Sequence, residues 1–172
     1  MDVAYALFDT ALGTAAVAWS DRGIVRTFLP ESSAQVTRGQ LVRRLPDARE
    51  AEPSEHVRRL IDDVVRLLGG DRVSLEWVPI DDASLPELDR RVYAAARTIP
   101  PGSTLTYGDV ARLIGDATLA RRVGEALGRN PFPIVVPCHR VLAAGGRTGG
   151  FSARGGTETK MQLLRIEGAV LL

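Results

Sequence analysis

Asn130-Pro131-Phe132-Pro133-Ile134-Val135-Val136-Pro137-Cys138-His139-Arg140-Val141 is the stretch on which the reading of this chain turns. Its three prolines forbid an ordinary helix and set a stiff approach to the only cysteine in the 172 residues. A lone cysteine forms no internal disulfide, so Cys138 is a buried structural thiol, a metal ligand or a reactive group, and Cys-rich metal sites are excluded by count. Side chains adjacent in sequence do not normally face one another, so His139 is expected to reach Cys138 through a water molecule. An imidazole that takes up a proton and the cationic Arg140 beside it would favour thiolate, the nucleophilic form. The plainer alternative is a small core residue followed by a satisfied loop histidine. Gly145-Gly146, Gly149-Gly150 and Gly155-Gly156, with Phe151-Ser152 among them, weigh against it. So many glycines suggest a loop folded tightly over a ligand, with Phe151 as an apolar wall.

Upstream, Thr106-Tyr107-Gly108-Asp109 has capping-box spacing, with Asp in place of Glu or Gln, and opens a helix through Ile114 that Gly115 ends. Asp116 to Thr118 can cap a second helix, Leu119 to Leu127, with Arg121 and Arg122 on its first turns. A helix, a short turn and a helix opened by basic residues is the pattern of a DNA-binding helix-turn-helix, though many such pairs are only packing units. The charge distribution agrees weakly. Thirteen basic residues stand against sixteen acidic ones up to Pro100 (−3), and nine against five after it (+4), within an overall charge of +1.

Further towards the N-terminus, Tyr5–Phe8, Ala15–Trp19 and Ile24–Leu29 are β-rich runs separated by Leu12-Gly13 and Asp21-Arg22-Gly23, which predicts a three-stranded antiparallel meander. Helical spacing follows over Ser33–Leu45 and Ser54–Leu68, the second closed by Gly69-Gly70. Leu75–Ile80 reads as another strand, residues 81–86 as a linker, and Pro86–Thr98 as an amphipathic helix. Two domains, 1–82 and 83–172, are expected in an α/β (α+β) chain. Apolar runs are too short to span a bilayer and no signal-peptide pattern opens the chain, so a cytoplasmic protein is expected. His56 reads as a helix-surface residue, and Trp19 and Trp77 as core.

The stretch from Asn130 to Val141 closely resembles the active-site signature of the O6-alkylguanine-DNA alkyltransferases. Landmarks extend from about Leu88 to Gly168: Ile99-Pro100, Gly102, Tyr107-Gly108, Arg121, Val123-Gly124 and Ile166-Glu167-Gly168. The first 80 residues match only in layout. The resemblance implies an RNase H-like N-terminal supporting domain and a mainly helical, winged helix-turn-helix-like C-terminal domain that carries the active site. It implies repair by direct damage reversal: an alkyl group passes from O6-alkylguanine, or O4-alkylthymine, to Cys138, irreversibly and once per molecule, after the nucleotide is flipped out.

By that resemblance Cys138 is the alkyl acceptor, His139 its water-linked base, and Glu167 the carboxylate that sets the imidazole tautomer. Asn130 braces the loop, and Tyr107 protonates the leaving guanine. Arg121 fills the gap left by the flipped base from a helix in the minor groove, with little sequence specificity. Ala120 and Gly124 let that helix approach the backbone, and Thr106 and Arg122 join the DNA-contacting set. Val136, Pro133, Leu127, Phe151 and Ser152 form the pocket. The implied partner is double-stranded DNA bound by a monomer, with no membrane, cofactor or metal; the zinc ligands of some relatives are missing.

Two departures stand out: the family commonly has Tyr at Phe151 and often Gly at Ala153, which bears on pocket width and alkyl preference. A damage-recognition module without turnover and a Cys-His hydrolase are the competing readings. Relatives of the first kind replace the acceptor cysteine, and the second needs an oxyanion site and a way to regenerate the thiol.

Overall fold

A computed structural model of the chain describes residues 2–147 and 155–169. The chain folds into two compact units, Met1–Ala83 with Pro131–Pro133, and Ser84–Asn130 with Ile134–Leu172. The first unit opens with the expected meander: β1 (Ala4–Thr10), β2 (Gly13–Ser20) and β3 (Gly23–Phe28), antiparallel in sequence. Gly23 has φ 135°, and a Cβ there would lie 2.6 Å from the Pro79 carbonyl oxygen, so the β2–β3 turn requires glycine. Alternation sends Tyr5, Ala16 and Ala18 to one face, against Leu41 of α1 (Ala34–Arg44), and Ala6, Ala15 and Val17 to the other. α2 (Glu55–Leu68) packs on β1 and buries Val57, Leu60, Val64, Leu67 and Leu68. Ser33 and Ser54 cap the two helices through their hydroxyls, as Ser before an amphipathic run should.

The sheet differs from the expected three strands by one. β4 (Arg49–Glu50) pairs in parallel with β1 and gives the order β3-β2-β1-β4. Two residues carry no readable alternation, so nothing local announced this strand. Leu75–Ile80 is not a strand; it turns at Leu75–Val78 and pairs with the sheet through the isolated bridge of Ile24 with Ile80. Pro79 has no N–H to give a ladder, which accounts for the difference. Pro131–Pro133 join this unit through β3: the Thr27 amide donates to the Pro131 carbonyl at 3.0 Å and its hydroxyl to that of Pro133 at 2.8 Å.

The second unit is mainly helical. It contains α3 (Glu87–Ala96), β5 (Leu105–Thr106), α4 (Tyr107–Leu113), α5 (Ala120–Gly128), β6 (Val141–Leu142) and α6 (Thr157–Ile166). The capping box forms as read, with the Thr106 hydroxyl accepting from the Asp109 amide at 3.0 Å and the Asp109 carboxylate accepting from the Thr106 amide at 2.9 Å. Gly115, at φ 97°, ends α4, and Asp116 caps a short 3-10 turn that leads into α5. Val92, Tyr93, Ala96, Val110, Ala111, Val123, Ala126, Leu163 and Leu164 form the buried interior. No helix among the described residues is long and apolar enough to cross a membrane.

Candidate active site

The parallel pairing of β5 with β6, Leu105 opposite Val141 and Thr106 opposite Leu142, aligns two chain segments that carry chemistry. Tyr107 directly follows β5, and the 3-10 turn Cys138–Arg140 directly precedes β6. Pro137, at φ −80° and ψ 66°, forms an inverse γ-turn in which the Cys138 amide donates to the Val136 carbonyl at 2.8 Å. The Asn130 side-chain amide donates to the same carbonyl at 2.9 Å and also hydrogen-bonds Cys138. The Val136 oxygen therefore serves as a fixed point for both the nucleophile and its brace.

Cys138 is 7% exposed and His139 fully buried. Nε2 of His139 lies 2.5 Å from Oε1 of Glu167, while among the described residues its Nδ1 has no hydrogen-bond partner. Because Glu167 can only accept when ionised, Nε2 carries the proton and Nδ1 is left as an acceptor. Burial pushes the His139 pKa down against the pull of Glu167, so the ring is neutral and able to take up a proton. Burial would raise the Glu167 carboxyl, yet hydrogen bonds from His139 and Arg140 outweigh it and hold the pKa at about 2.

Arg140 corrects one expectation. Its guanidinium is turned away from the sulfur: Nε and Nη2 clamp Glu167 at 2.8 and 3.0 Å, and Nη1 donates to the Ile99 carbonyl at 2.6 Å. The cation that acts on Cys138 is Lys160 of α6, a residue that sequence reasoning missed. Lys160 is 1% exposed; Nζ donates to the Val141 carbonyl at 2.7 Å and lies 5.8 Å from the centre of the Tyr107 ring. Burial lowers its pKa to about 8, partly countered by the charge of a Cys138 thiolate. The expected resting thiolate is corrected as well. Burial pushes the Cys138 thiol up, and Asn130, Lys160 and the backbone amides of Cys138 and His139 only reduce that shift. A thiol that rests protonated needs a base, and the neutral His139 is next to it. The Tyr107 hydroxyl is raised by burial and by the Cys138 charge, which keeps it a proton donor.

Ala120, Arg121 and Arg122 occupy the first turn of α5. Both arginines are exposed; the Arg121 side chain is 92% exposed and only loosely paired, Nε to Glu125 at 3.5 Å. Gly124 lies beside the Tyr107 ring, which a Cβ there would meet at 3.9 Å, an ordinary van der Waals contact, so the tyrosine's packing does not itself require glycine. Thr106 is the α4 cap. Val136 and Leu127 are buried, and Pro133 is half-buried in the first unit. Phe151, Ser152 and Ala153 lie outside the described residues. His56 is exposed on α2. Trp19 and Trp77, expected in the core, are half-buried and border a groove of about 1010 Å³ in the first unit.

Comparison with known proteins identifies the family. Residues 87–169 match the model of the 6-O-methylguanine DNA methyltransferase DNA-binding domain. The chain is 34% identical over 155 residues to a methylated-DNA–protein-cysteine methyltransferase of Methanothermobacter thermautotrophicus, covering 90% of this chain and 80% of that one. A protein of the same name from Methanosarcina acetivorans is 30% identical over 165 residues, with 96% and 98% covered. The crystal structure of Mycobacterium tuberculosis OGT in complex with DNA superposes with a TM-score of 0.77 at 28% identity, covering 96% of this chain and 92% of that one. The sequence, the buried Cys138-His139-Glu167 arrangement and these likenesses lead to one conclusion: the chain belongs to the methylated-DNA–protein-cysteine methyltransferase family.

Proposed function

We propose that this protein repairs alkylated DNA by taking the alkyl group of O6-alkylguanine, and of O4-alkylthymine, onto Cys138, once per molecule. The observation that carries the reading is His139. It is fully buried, tied to Glu167 through Nε2, and presents, among the described residues, an unpartnered Nδ1 directly after the only cysteine. A water molecule between Sγ and Nδ1 would pass the thiol proton to the imidazole as Sγ attacks the alkyl carbon. Glu167, itself held in place by Arg140, then stabilises the imidazolium, in the way a third residue steadies the base of a hydrolase triad.

The S–C bond forms as the C–O6 bond breaks, and the electron pair leaves with the base. Tyr107 supplies a proton to the departing guanine, and Lys160 stabilises the negative charge that develops on sulfur as its proton leaves. Nothing in this set returns an S-alkyl cysteine to thiol, so the molecule is spent in one event.

A stacked base keeps its O6 substituent out of reach, so the nucleotide must be flipped out of the duplex, at a cost of a few kcal/mol. The exposed Arg121 on the first turn of α5 is the residue we assign to the vacated space, with Ala120, Arg122 and Thr106 along the DNA backbone. An arginine there fits minor-groove binding by a monomer without sequence reading. The sheet unit is assigned as an RNase H-like support and the helical unit as a winged helix-turn-helix-like carrier of the site. Incubation with excess O6-methylguanine duplex should stop at one alkyl group per chain; continued release of repaired DNA beyond that equivalence contradicts the single-use reading.

A further inference from the structure

Ile134 has φ 76°, the sole residue other than glycine with positive φ among the described residues. It occupies a turn, Ile134-Val135, four residues before Cys138. Left-handed backbone suits glycine or asparagine; for a β-branched side chain it is strained, and such strain persists only where the surroundings over-determine it. The surroundings here do so. Ile134 is 5% exposed, and Val135 and Val136 after it are 2% and 0% exposed. Glycine would adopt this φ freely, so an isoleucine in its place points to its buried side chain as what anchors the turn.

The next carbonyl but one belongs to Val136, which receives both the Cys138 amide and the Asn130 side chain. We propose that Ile134 is a positioning residue for alkyl transfer: its buried side chain pegs a strained left-handed turn and thereby fixes the Val136 carbonyl that orients Asn130 and Cys138. This rests on Cys138 being the acceptor. A turn free to swing moves the Val136 oxygen, the Asn130 amide loses the bond that aims it, and the thiol loses that amide. The other groups around the sulfur are held by their own partners: Tyr107 lies in α4, Lys160 in α6, and His139, in the 3-10 turn Cys138–Arg140, is tied to Glu167.

The test uses the full chain, in which iodoacetamide reports on Cys138 alone because no other cysteine is present. The pH midpoint of that reaction and the rate of alkyl transfer from free O6-benzylguanine are measured for wild type, Ile134→Gly, Ile134→Val, Asn130→Ala and the double variant Ile134→Gly with Asn130→Ala, all at a temperature where each is folded. Ile134→Gly is expected to raise the thiol midpoint by about one pH unit and to slow transfer about tenfold. Asn130→Ala should give a similar midpoint, the double variant should add little, and Ile134→Val should behave as wild type. Should the glycine variant fail to fold, Ile134→Ala carries the same expectation in smaller measure. A wild-type midpoint and rate in the folded glycine or alanine variant, or additive shifts with Asn130→Ala, overturn the proposal. Should wild type not accept the benzyl group, the rates are taken with O6-methylguanine duplex; failure there as well would count against Cys138 as acceptor, since the iodoacetamide midpoints do not depend on it.

Discussion

Glu167 Oε1 and His139 Nε2 meet at 2.5 Å with both side chains almost wholly buried, and the same carboxylate is gripped from its other side by Arg140. One acid thus neutralises one cation and orients one neutral base. Among the described residues the His139 ring is satisfied except at Nδ1, the atom that the proposed transfer uses.

Replacing Glu167 by Gln should therefore damage both fold and reaction. It leaves Arg140 as a buried charge with no counter-ion, which costs about 3–5 kcal/mol in comparable settings. The sign with pH follows from a pKa lowered to about 2 from 4.5. The unfolded chain binds the proton first, so stability from this group is complete above pH 4.5 and is lost as pH falls towards 2. Thermal melts from about pH 7 down to about pH 2.5 should show wild type losing stability in that window and Glu167→Gln losing less. Parallel curves would contradict the assignment.

Lys160 is expected to behave in the opposite sense. With a folded pKa of about 8 against 10.5 unfolded, its charge is held at a cost of about 3 kcal/mol at neutral pH, and stability should climb between pH 8 and 10.5. Lys160→Met should raise the melting temperature at neutral pH while slowing alkyl transfer by about tenfold, because the thiolate loses its cation. Transfer by wild type should fall above about pH 8 as Lys160 loses its proton. Lys160→Arg should move that fall to higher pH. A methionine variant that is both less stable and fully active would contradict this.

What the sequence made legible, and what it hid, divides along physical lines. The capping box at Thr106 and Asp109, the stop at Gly115 and the caps at Ser33 and Ser54 are local devices, and each formed as read. β4 and the β5–β6 pair are two residues long and exist only through tertiary pairing. Arg140 looked like a partner of the neighbouring cysteine because adjacency is all a sequence displays; its real partner is 27 positions away. Lys160 was findable. Lys160, Leu163, Leu164 and Glu167 fall at i, i+3, i+4 and i+7, so both charges lie on the buried stripe of α6 and its C-cap, a placement a solvated lysine does not take. Ile134 left no trace, since nothing in its neighbours demands positive φ.

Arg121 provides a test of the DNA-facing assignment. Arg121→Ala removes a side chain that is 92% exposed and, among the described residues, paired with Glu125 at 3.5 Å, so the melting temperature should be unchanged. Repair of O6-methylguanine in duplex should fall by about tenfold or more, and reaction with the free modified base should be unaffected. Equal losses on both substrates would place Arg121 outside the flipping step.

The central claim is that the alkyl group ends on Cys138. Wild type and Cys138→Ala are each incubated with O6-methylguanine duplex, weighed intact and then peptide-mapped. Wild type should gain a single methyl group, located on Cys138, while the alanine variant binds the duplex and gains nothing; an unmodified wild type, or a methyl group found on any other residue, would contradict the claim.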